Sequence, residues 1–221
     1  MLDRLLEVIA PHICCSCGKE TSLLCKYCEY DIISERFAQC IVCLRPSGDD
    51  NLCTHCRQKA RYDSAWLVGD RSAGLKRLID LYKFERTIAA ADVIARLLDT
   101  VVPQLPLDTV VTYIPTIASH RRQRGYDHMR LVAQKFAKRR GLASAPLLVR
   151  QTTLPQRGSS GKERLTRQIG AFKAAHVITS PVLLLDDIYT TGGTITAGVE
   201  ALRAVSHLPI IVGIIARQPL D

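Results

Sequence analysis

Two patterns of apolar residues divide the chain near residue 60. Before that point, apolar positions are scattered among cysteines and form no long periodic segment. Beyond it, short uninterrupted apolar runs alternate with segments that are apolar at every third or fourth position, as expected for strands and helices in turn. This alternation predicts an α/β domain with a doubly wound, mostly parallel sheet. We therefore divide the chain into two predicted domains, 1–60 and 61–221.

The elements of the second domain are bounded by glycines, prolines and polar segments. The predicted strands are 65–69, 109–114, 147–149, 181–185 and 210–215. The predicted helices are 75–81, 89–101, 129–140 and 195–205. Residues 119–128 are predicted to form a basic loop, and the polar residues 151–170 a mobile loop.

All nine cysteines lie in the first domain, between residues 14 and 56. Eight of them form four Cys-x-x-Cys pairs: Cys14 with Cys17, Cys25 with Cys28, Cys40 with Cys43, and Cys53 with Cys56. A tight turn of this spacing points two thiolates at one ion, and two such turns complete the tetrahedral site that Zn²⁺ prefers. We therefore predict two structural zinc ions. A module this small draws most of its folding free energy from them.

Two questions about these cysteines stay open in the sequence. The pairs could join sequentially, two to an ion, or they could interleave. A disulfide framework is the alternative to zinc, but it is typical of exported domains, and we do not expect an export signal here. Charged Asp3, Arg4 and Glu7 interrupt the first apolar run, which predicts a short amphipathic helix instead. Cys15 is left as a spare thiol beside Cys14.

Positive charge is concentrated in one quarter of the chain. Lys and Arg number 30 against 21 acidic residues, a net charge of +9. Residues 117–173 alone hold fourteen basic and two acidic side chains, which is more than the whole excess. Such a segment indicates a polyanionic partner, either a phosphate-bearing small molecule or nucleic acid. No run of about 18 apolar residues occurs, so we expect no membrane span.

The strongest chemical signal is the segment 182–194, VLLLDDIYTTGGT. An apolar strand leads into Asp186 and Asp187, and then into a loop of hydroxyls and glycines before a helix. Ligands of open α/β sheets bind beyond the carboxyl ends of strands. Gly192 and Gly193 let the backbone approach a phosphate, and the N-terminus of the following helix favours an anion. Carboxylates repel phosphate, so we expect them to bind sugar hydroxyls, directly or through a divalent cation.

A ribose 5-phosphate satisfies both halves of this segment. The structural alternative is a helix N-terminus preceded by a solvated turn. The Walker A loop and the dinucleotide-binding fingerprint are absent, because no Gly-Lys-Ser/Thr and no Gly-x-Gly-x-x-Gly occurs here. The segment closely resembles the fingerprint of the type I phosphoribosyltransferases.

Further motifs extend the resemblance over nearly the whole chain. The sequence resembles the ComF family, in which zinc-binding cysteine pairs precede a type I phosphoribosyltransferase fold. The motifs are LYKF at 81–84, IP at 114–115, RRQRGY at 121–126, LPQ at 154–156, GAF at 170–172 and the loop 186–194. After the Arg-Gly-aromatic triplet the family usually has Asn-Gln, whereas this chain has Asp127 and His128.

This resemblance implies a set of functional residues. Asp186 and Asp187 are the expected catalytic residues, holding the ribose hydroxyls of phosphoribosyl pyrophosphate (PRPP), which binds with Mg²⁺. The residues expected to bind PRPP elsewhere are Tyr189, Thr190, Thr191, Gly192, Gly193, Thr194, Arg121, Arg122 and Arg124. The residues expected to contact DNA are Arg139, Arg140, Arg157, Lys162, Arg164 and Arg167. For the two that end the helix, the alternative is simple stabilisation of a helix C-terminus.

The resemblance also implies a role. ComF proteins look like cytoplasmic components of natural transformation, so we expect a cytoplasmic protein of DNA uptake that binds PRPP and single-stranded DNA. A DNA-uptake helicase or other competence proteins are the expected protein partners. The second hypothesis is an active phosphoribosyltransferase that transfers ribose 5-phosphate from PRPP to an unidentified nucleobase or salvage substrate. The third is a sensor that binds PRPP without turnover.

Overall fold

The computed structural model describes residues 12–34, 39–151 and 170–218. Its N-terminal part consists of short elements around the cysteines. Strands β1 (His12–Ile13) and β2 (Glu20–Thr21) form an antiparallel pair, and helices α1 (Lys26–Ser34) and α2 (Thr54–Ala60) follow. The amphipathic helix predicted for the first twelve residues lies almost wholly outside this part of the chain.

The second part alternates strands and helices as the apolar pattern predicts. Its strands are β3 (Ser64–Asp70), β4 (Val110–Tyr113), β5 (Ala143–Ser144), β6 (Leu148–Arg150), β7 (Phe172–Ala174), β8 (Val182–Tyr189) and β9 (Ile210–Arg217). Its helices are α3 (Ala73–Phe84), α4 (Ala90–Val101), α5 (Ala118–Arg124), α6 (His128–Arg140) and α7 (Gly193–Arg203). None of the helices that the structure describes is long and apolar enough to cross a membrane.

Five strands form one sheet in the order β3-β9-β8-β4-β5, and every neighbouring pair is parallel. Strands β6 and β7 form a separate antiparallel pair. The chain moves outwards from β4 to β5 and then returns to β8 on the other side of β4, so the strand order reverses between β4 and β8. The predicted fold class, a doubly wound and mostly parallel sheet beside a small cysteine-rich module, is confirmed.

The sheet is buried on both faces. Leu183 and Leu185 of β8 belong to a core that includes Leu98 of α4 and Phe136 of α6. Leu184, which points the other way, belongs to a second core that includes Val199 of α7 and its neighbours. Burial on both faces explains the continuous apolar run of β8, because parallel strands between two helix layers have no polar face.

The predicted basic loop at 119–128 is wrong for most of its length, because residues 118–124 form α5. None of the residues of α5 is buried, so the helix has no apolar stripe for a periodicity analysis to detect. Gly125, with a φ of 85°, ends the helix in the left-handed conformation. The basic residues in its last turn stabilise the C-terminal end of the helix dipole.

The predicted end of strand 181–185 is also wrong, because β8 continues to Tyr189. Strand β9 runs alongside the added residues, with Asp186 opposite Ile214 and Tyr189 opposite Arg217. The backbone ladder needs no apolar side chains, so the strand continues where the apolar run stops. The two carboxylates therefore lie within a strand. Of the mobile loop predicted at 151–170, residues 152–169 lie outside the described residues.

Candidate functional site

A cavity of about 380 Å³ opens at the carboxyl ends of β4 and β8. These are the two strands between which the strand order reverses, the place where open α/β sheets bind ligands. Side chains from α3, α5, α6, β6, β8 and the start of α7 line the cavity together with the loop after β4. Polar groups from distant parts of the sequence therefore meet at this point.

Asp187 is the centre of the polar network in this cavity. Its Oδ2 lies 2.7 Å from Nζ of Lys83 and accepts a hydrogen bond from Nε2 of His128. Burial alone would raise the pKa of Asp187. The hydrogen bond from His128 and the charge of Lys83 outweigh it and hold that pKa well below its usual range. Asp187 is therefore a carboxylate at neutral pH.

His128 links Asp187 to an arginine. Its Nδ1 lies 3.1 Å from Nη1 of Arg124 and 2.9 Å from Oγ1 of Thr116. A guanidinium can only donate, so Nδ1 accepts from Arg124 and the ring proton sits on Nε2, facing Asp187. The hydroxyl of Tyr82 donates to the backbone carbonyl of His128 at 2.7 Å and fixes its position. One tautomer thus satisfies the carboxylate and the arginine together.

Asp186 has a different environment from its neighbour. It is buried, and its Oδ1 accepts the backbone N–H of Asp187 at 2.9 Å. Burial first, and then the charge of Asp187, raise the pKa of Asp186 well above its usual range. Arg150 of β6 offsets this with its positive charge, and burial lowers its own pKa. The pKa values of the two adjacent carboxyl groups thus differ. Asp187 is charged, and Asp186 is the more easily protonated of the two.

The glycine loop after β8 is supported from below by Tyr189. Gly192 has a φ of 78°, and a Cβ there would collide with the Tyr189 hydroxyl, so glycine alone fits. Tyr189 is buried, whereas Thr190 and Thr191 are exposed and Thr194 borders the cavity. Helix α7 begins at Gly193, and the first N–H groups of a helix have no acceptor within it. Through Thr194, the start of α7, with its free donors and positive dipole end, borders the cavity.

The structure separates the predicted phosphate-binding arginines. Arg124 lines the cavity of Asp187, but Arg121 and Arg122 line a neighbouring cleft. The reason is the helix that replaced the predicted loop. At about 100° per residue, Arg122 lies on the side of α5 opposite Arg124, and Arg121 lies between the two.

The predicted DNA contacts that the structure describes are engaged within the protein. Arg139 lies 3.3 Å from a carboxylate oxygen of Asp99, and Arg140 pairs with the same carboxylate. Arg140 also donates to the backbone carbonyls of Val102 and Pro103, at 2.7 and 2.9 Å. Both side chains thus fasten the end of α6 to the end of α4. Arg157, Lys162, Arg164 and Arg167 lie outside the described residues.

Four residues of the cavity were missed by the sequence analysis. Lys83 lies in the LYKF motif, and Thr116 directly follows the Ile-Pro motif. Both motifs supported the family resemblance, but neither residue was assigned a role. His128 stands where the family usually has glutamine, and that departure was the available signal. Arg150 had no signal beyond its charge, because only the tertiary structure brings β6 to the carboxylates.

The cysteines form two separate groups of four. Cys14, Cys17, Cys25 and Cys28 make the first, Cys40, Cys43, Cys53 and Cys56 the second, and within each group the sulfur atoms lie within 4.8 Å of one another. Four sulfurs placed 2.3 Å from one tetrahedral zinc ion would be about 3.8 Å apart. The sulfurs of Cys17 and Cys25 are 3.7 Å apart, and those of Cys43 and Cys53 are 3.6 Å apart. Both groups fit structural zinc, and the pairing is sequential.

Cys15 belongs to neither group. All nine cysteines are free thiols, so the disulfide alternative finds no support. Burial raises the pKa of Cys15 to about 11, which keeps it a thiol at neutral pH. The sulfur of Cys14, and not that of Cys15, lies with those of Cys17, Cys25 and Cys28, so Cys14 is the residue that fits a metal ligand at the first turn.

Comparison with known proteins gives only a distant likeness. No protein-family model and no curated protein matches the chain. Among solved structures it is similar to UMP synthase from Leishmania donovani, with 17% identity and a TM-score of 0.35 over 64% of this chain and 24% of that one. It is also similar to adenine phosphoribosyltransferase from Thermoanaerobacter pseudethanolicus, with 14% identity and a TM-score of 0.37 over 64% of this chain and 74% of that one. Likenesses of this size carry no argument about activity.

Proposed function

We propose that this protein binds PRPP with Mg²⁺ in the cavity at the ends of β4 and β8, as a ComF-type protein would. The observation that carries the proposal is one cavity whose wall includes a charged Asp187 and Thr194, which follows the glycine loop in the first turn of α7. The carboxylate suits ribose hydroxyls, and the loop suits the 5′-phosphate. Arg124, on the wall beside the Ile-Pro loop, suits the pyrophosphate.

The network around Asp187 leaves room for this ligand. Lys83 and His128 both address Oδ2, and Oδ1 accepts no hydrogen bond from any described residue. Oδ1 can therefore accept from a ribose hydroxyl without displacing either partner. Carboxylate oxygens are also the ligands that Mg²⁺ prefers together with substrate phosphates, so the donors present fit that ion. Bound Mg²⁺ would neutralise charge on the pyrophosphate.

Calorimetric titration of PRPP and Mg²⁺ into the zinc-loaded protein tests the proposal. We expect saturable binding by the wild type and a loss of at least about tenfold in affinity for Asp187→Asn, because the charged partner of the ribose is removed. Asp108→Asn is the matched control, since Asp108 is exposed on the turn before β4, at the opposite end of that strand from the cavity. Absence of wild-type binding, or equal affinities of the two variants, would contradict the proposal.

Turnover is measured with the same preparation. Transfer of the phosphoribosyl group forms a bond from an acceptor to the anomeric carbon while the bond to pyrophosphate breaks, so pyrophosphate is released. A screen of nucleobases for Asp187-dependent pyrophosphate release distinguishes an active phosphoribosyltransferase from a protein that only binds PRPP.

The proposal extends to single-stranded DNA and to a role in DNA uptake. The support is the charge excess of residues 117–173 and the family resemblance. Since Arg139 and Arg140 are engaged with Asp99, we assign the contact to Arg157, Lys162, Arg164 and Arg167. We expect oligodeoxythymidylate to bind at about 50 mM salt and to dissociate steeply as salt increases, because condensed counterions are released on binding. Binding that is insensitive to salt would contradict this part.

A further inference from the structure

A second cleft, of about 640 Å³, lies beside the cavity of Asp187. The two are separated by α5, whose residues 120, 123 and 124 line the Asp187 cavity while Arg121 and Arg122 line the cleft. Helix α6 closes the other side of the cleft with Arg130 and Gln134. The cleft is therefore a distinct space with its own walls.

Three guanidinium groups face this cleft without acidic partners. The side chains of Arg121, Arg122 and Arg130 form no ion pair with any residue in the described ranges. Asp127 is the acidic residue on the wall, and it is already used. Its carboxylate accepts from the hydroxyl and backbone N–H of Thr116, at 2.8 and 3.1 Å, and it caps the N-terminus of α6. Asp127 keeps its negative charge, so three guanidinium groups against one carboxylate leave the cleft with a net positive charge.

Tyr113 supplies a polar group at the base of the cleft. It ends β4, is 6% exposed, and lines the cleft. Its hydroxyl forms no hydrogen bond with any described residue and is not itself fully buried, so a ligand in the cleft can reach it. Burial raises the pKa of Tyr113, so the hydroxyl keeps its proton at neutral pH. The charge of Asp127 raises the same pKa further, and the charges of Arg130 and Arg121 lower it.

We propose that this cleft is a second oxyanion site, which binds a phosphate group of a small phosphorylated ligand. The Tyr113 hydroxyl donates to the anion from the base, and the guanidinium groups of Arg121, Arg122 and Arg130 bind it from the sides. Arginine forks match phosphate oxygens in geometry and charge. The proposal goes beyond PRPP binding. Arg121 and Arg122, which the sequence predicts to bind PRPP, bind a different anion in this cleft.

Titration of inorganic pyrophosphate into the zinc-loaded Arg124→Gln protein tests the proposal, because this variant weakens the first cavity for the same probe. We expect pyrophosphate to bind. Adding Tyr113→Phe should weaken the affinity for pyrophosphate about fivefold, the usual effect of one hydrogen bond. Adding Arg122→Gln should weaken it about tenfold or more. Adding Lys138→Gln, the control on an exposed part of α6, should change nothing.

Three outcomes would overturn the proposal. The first is that the Arg124→Gln protein binds no pyrophosphate. The second is that the Tyr113, Arg122 and Lys138 variants have equal affinities for pyrophosphate. The third is that binding of oligodeoxythymidylate depends on Tyr113 and Arg122 while binding of pyrophosphate does not. The last would make the cleft a contact for a DNA strand. Failure of PRPP binding is distinguishable, because it is read from the wild type and Asp187→Asn. Tyr113→Phe should leave PRPP affinity unchanged.

Discussion

The two cysteine clusters have the same ligand chemistry but support opposite faces of the sheet. The first belongs to the core that includes α3 and α4. Gly74 of α3 lies against Ser16 beside that cluster, where an added Cβ would come within 2.5 Å of the serine oxygen. Glu29 of α1 accepts from two nitrogens of Arg96 on α4, at 2.9 to 3.1 Å. The first module is thus fixed to the helices of one face.

The second cluster belongs to the core on the other face. Cys40, Cys53 and Cys56 share that core with Tyr62 and Tyr189. Asn51, between the two cysteine pairs, donates its backbone N–H to β3 and accepts a backbone N–H of β3 through its side chain. The second module is thus fixed to the edge strand and to the residue beneath the glycine loop.

This difference links each module to one half of the candidate site. The carboxylate half is Asp187 with its partners, and the phosphate half is the glycine loop with the start of α7. Helix α3 begins at the first module and carries Lys83 in its last turn, where Lys83 pairs with the carboxylate of Asp187. Tyr189 connects the second module to Gly192 of the glycine loop. We therefore expect the first zinc site to act on the carboxylate half and the second on the phosphate half.

Removal of one ligand from each cluster gives the largest expected effects. Cys17→Ser and Cys43→Ser should each lower the zinc content by one ion and destabilise the protein by several kcal/mol, because structural zinc supplies folding free energy. Elemental analysis and thermal unfolding measure both quantities. Cys15→Ser is the control and should keep both ions. A variant that keeps both ions, or keeps the wild-type melting temperature, would show that its cluster is not a structural zinc site.

Gly192→Ala tests the phosphate half alone. A side chain at a left-handed position costs about 1 to 2 kcal/mol, and this one also meets the hydroxyl of Tyr189. We expect at least about tenfold weaker binding of ribose 5-phosphate, measured by calorimetry, with both zinc ions retained. Gly48→Ala, where nothing lies within 4 Å of the added Cβ, is the control. Equal affinities for the two variants would exclude the loop as the phosphate site.

Two substitutions of His128 test the carboxylate half. The amide of glutamine can replace Nε2 and donate to Asp187, whereas asparagine can reach only the place of Nδ1 and accept from Arg124. We expect His128→Gln to lose affinity for pyrophosphate several-fold and keep that for ribose 5-phosphate, and His128→Asn to show the reverse. Identical losses for both ligands in both variants would mean that His128 has only a packing role.

The smallest expected effect is on acid stability. Because the folded-state pKa of Asp187 is lowered, its pairing stabilises the protein above the unfolded pKa of about 3.9 and is lost as pH falls further. Urea unfolding should therefore show wild type and Asp187→Asn converging in stability from about pH 5 downward. A constant difference over that range would contradict the low pKa.

Much of the site was predictable because its parts are local in sequence. A Cys-x-x-Cys turn brings two sulfurs together whatever the rest of the chain does, and the eight cysteines predicted to bind zinc do form two groups that fit the ion. The carboxylates and the glycine loop follow one another at the end of one strand, and a parallel sheet places such ends at its ligand edge. Helix α5 was not predictable in the same way, since none of its residues is buried.

By itself, then, the sequence determined the two cysteine clusters, the sheet and the segment 186–194, because each depends on neighbours along the chain. Tertiary structure alone decided which side chains reach the two carboxylates, since Lys83, His128 and Arg150 come from three elements far apart in sequence. It also decided that α5 divides the arginines between two clefts. The physical reason is that spacing fixes the geometry of covalent neighbours, while contacts between distant elements depend on how helices pack on the sheet.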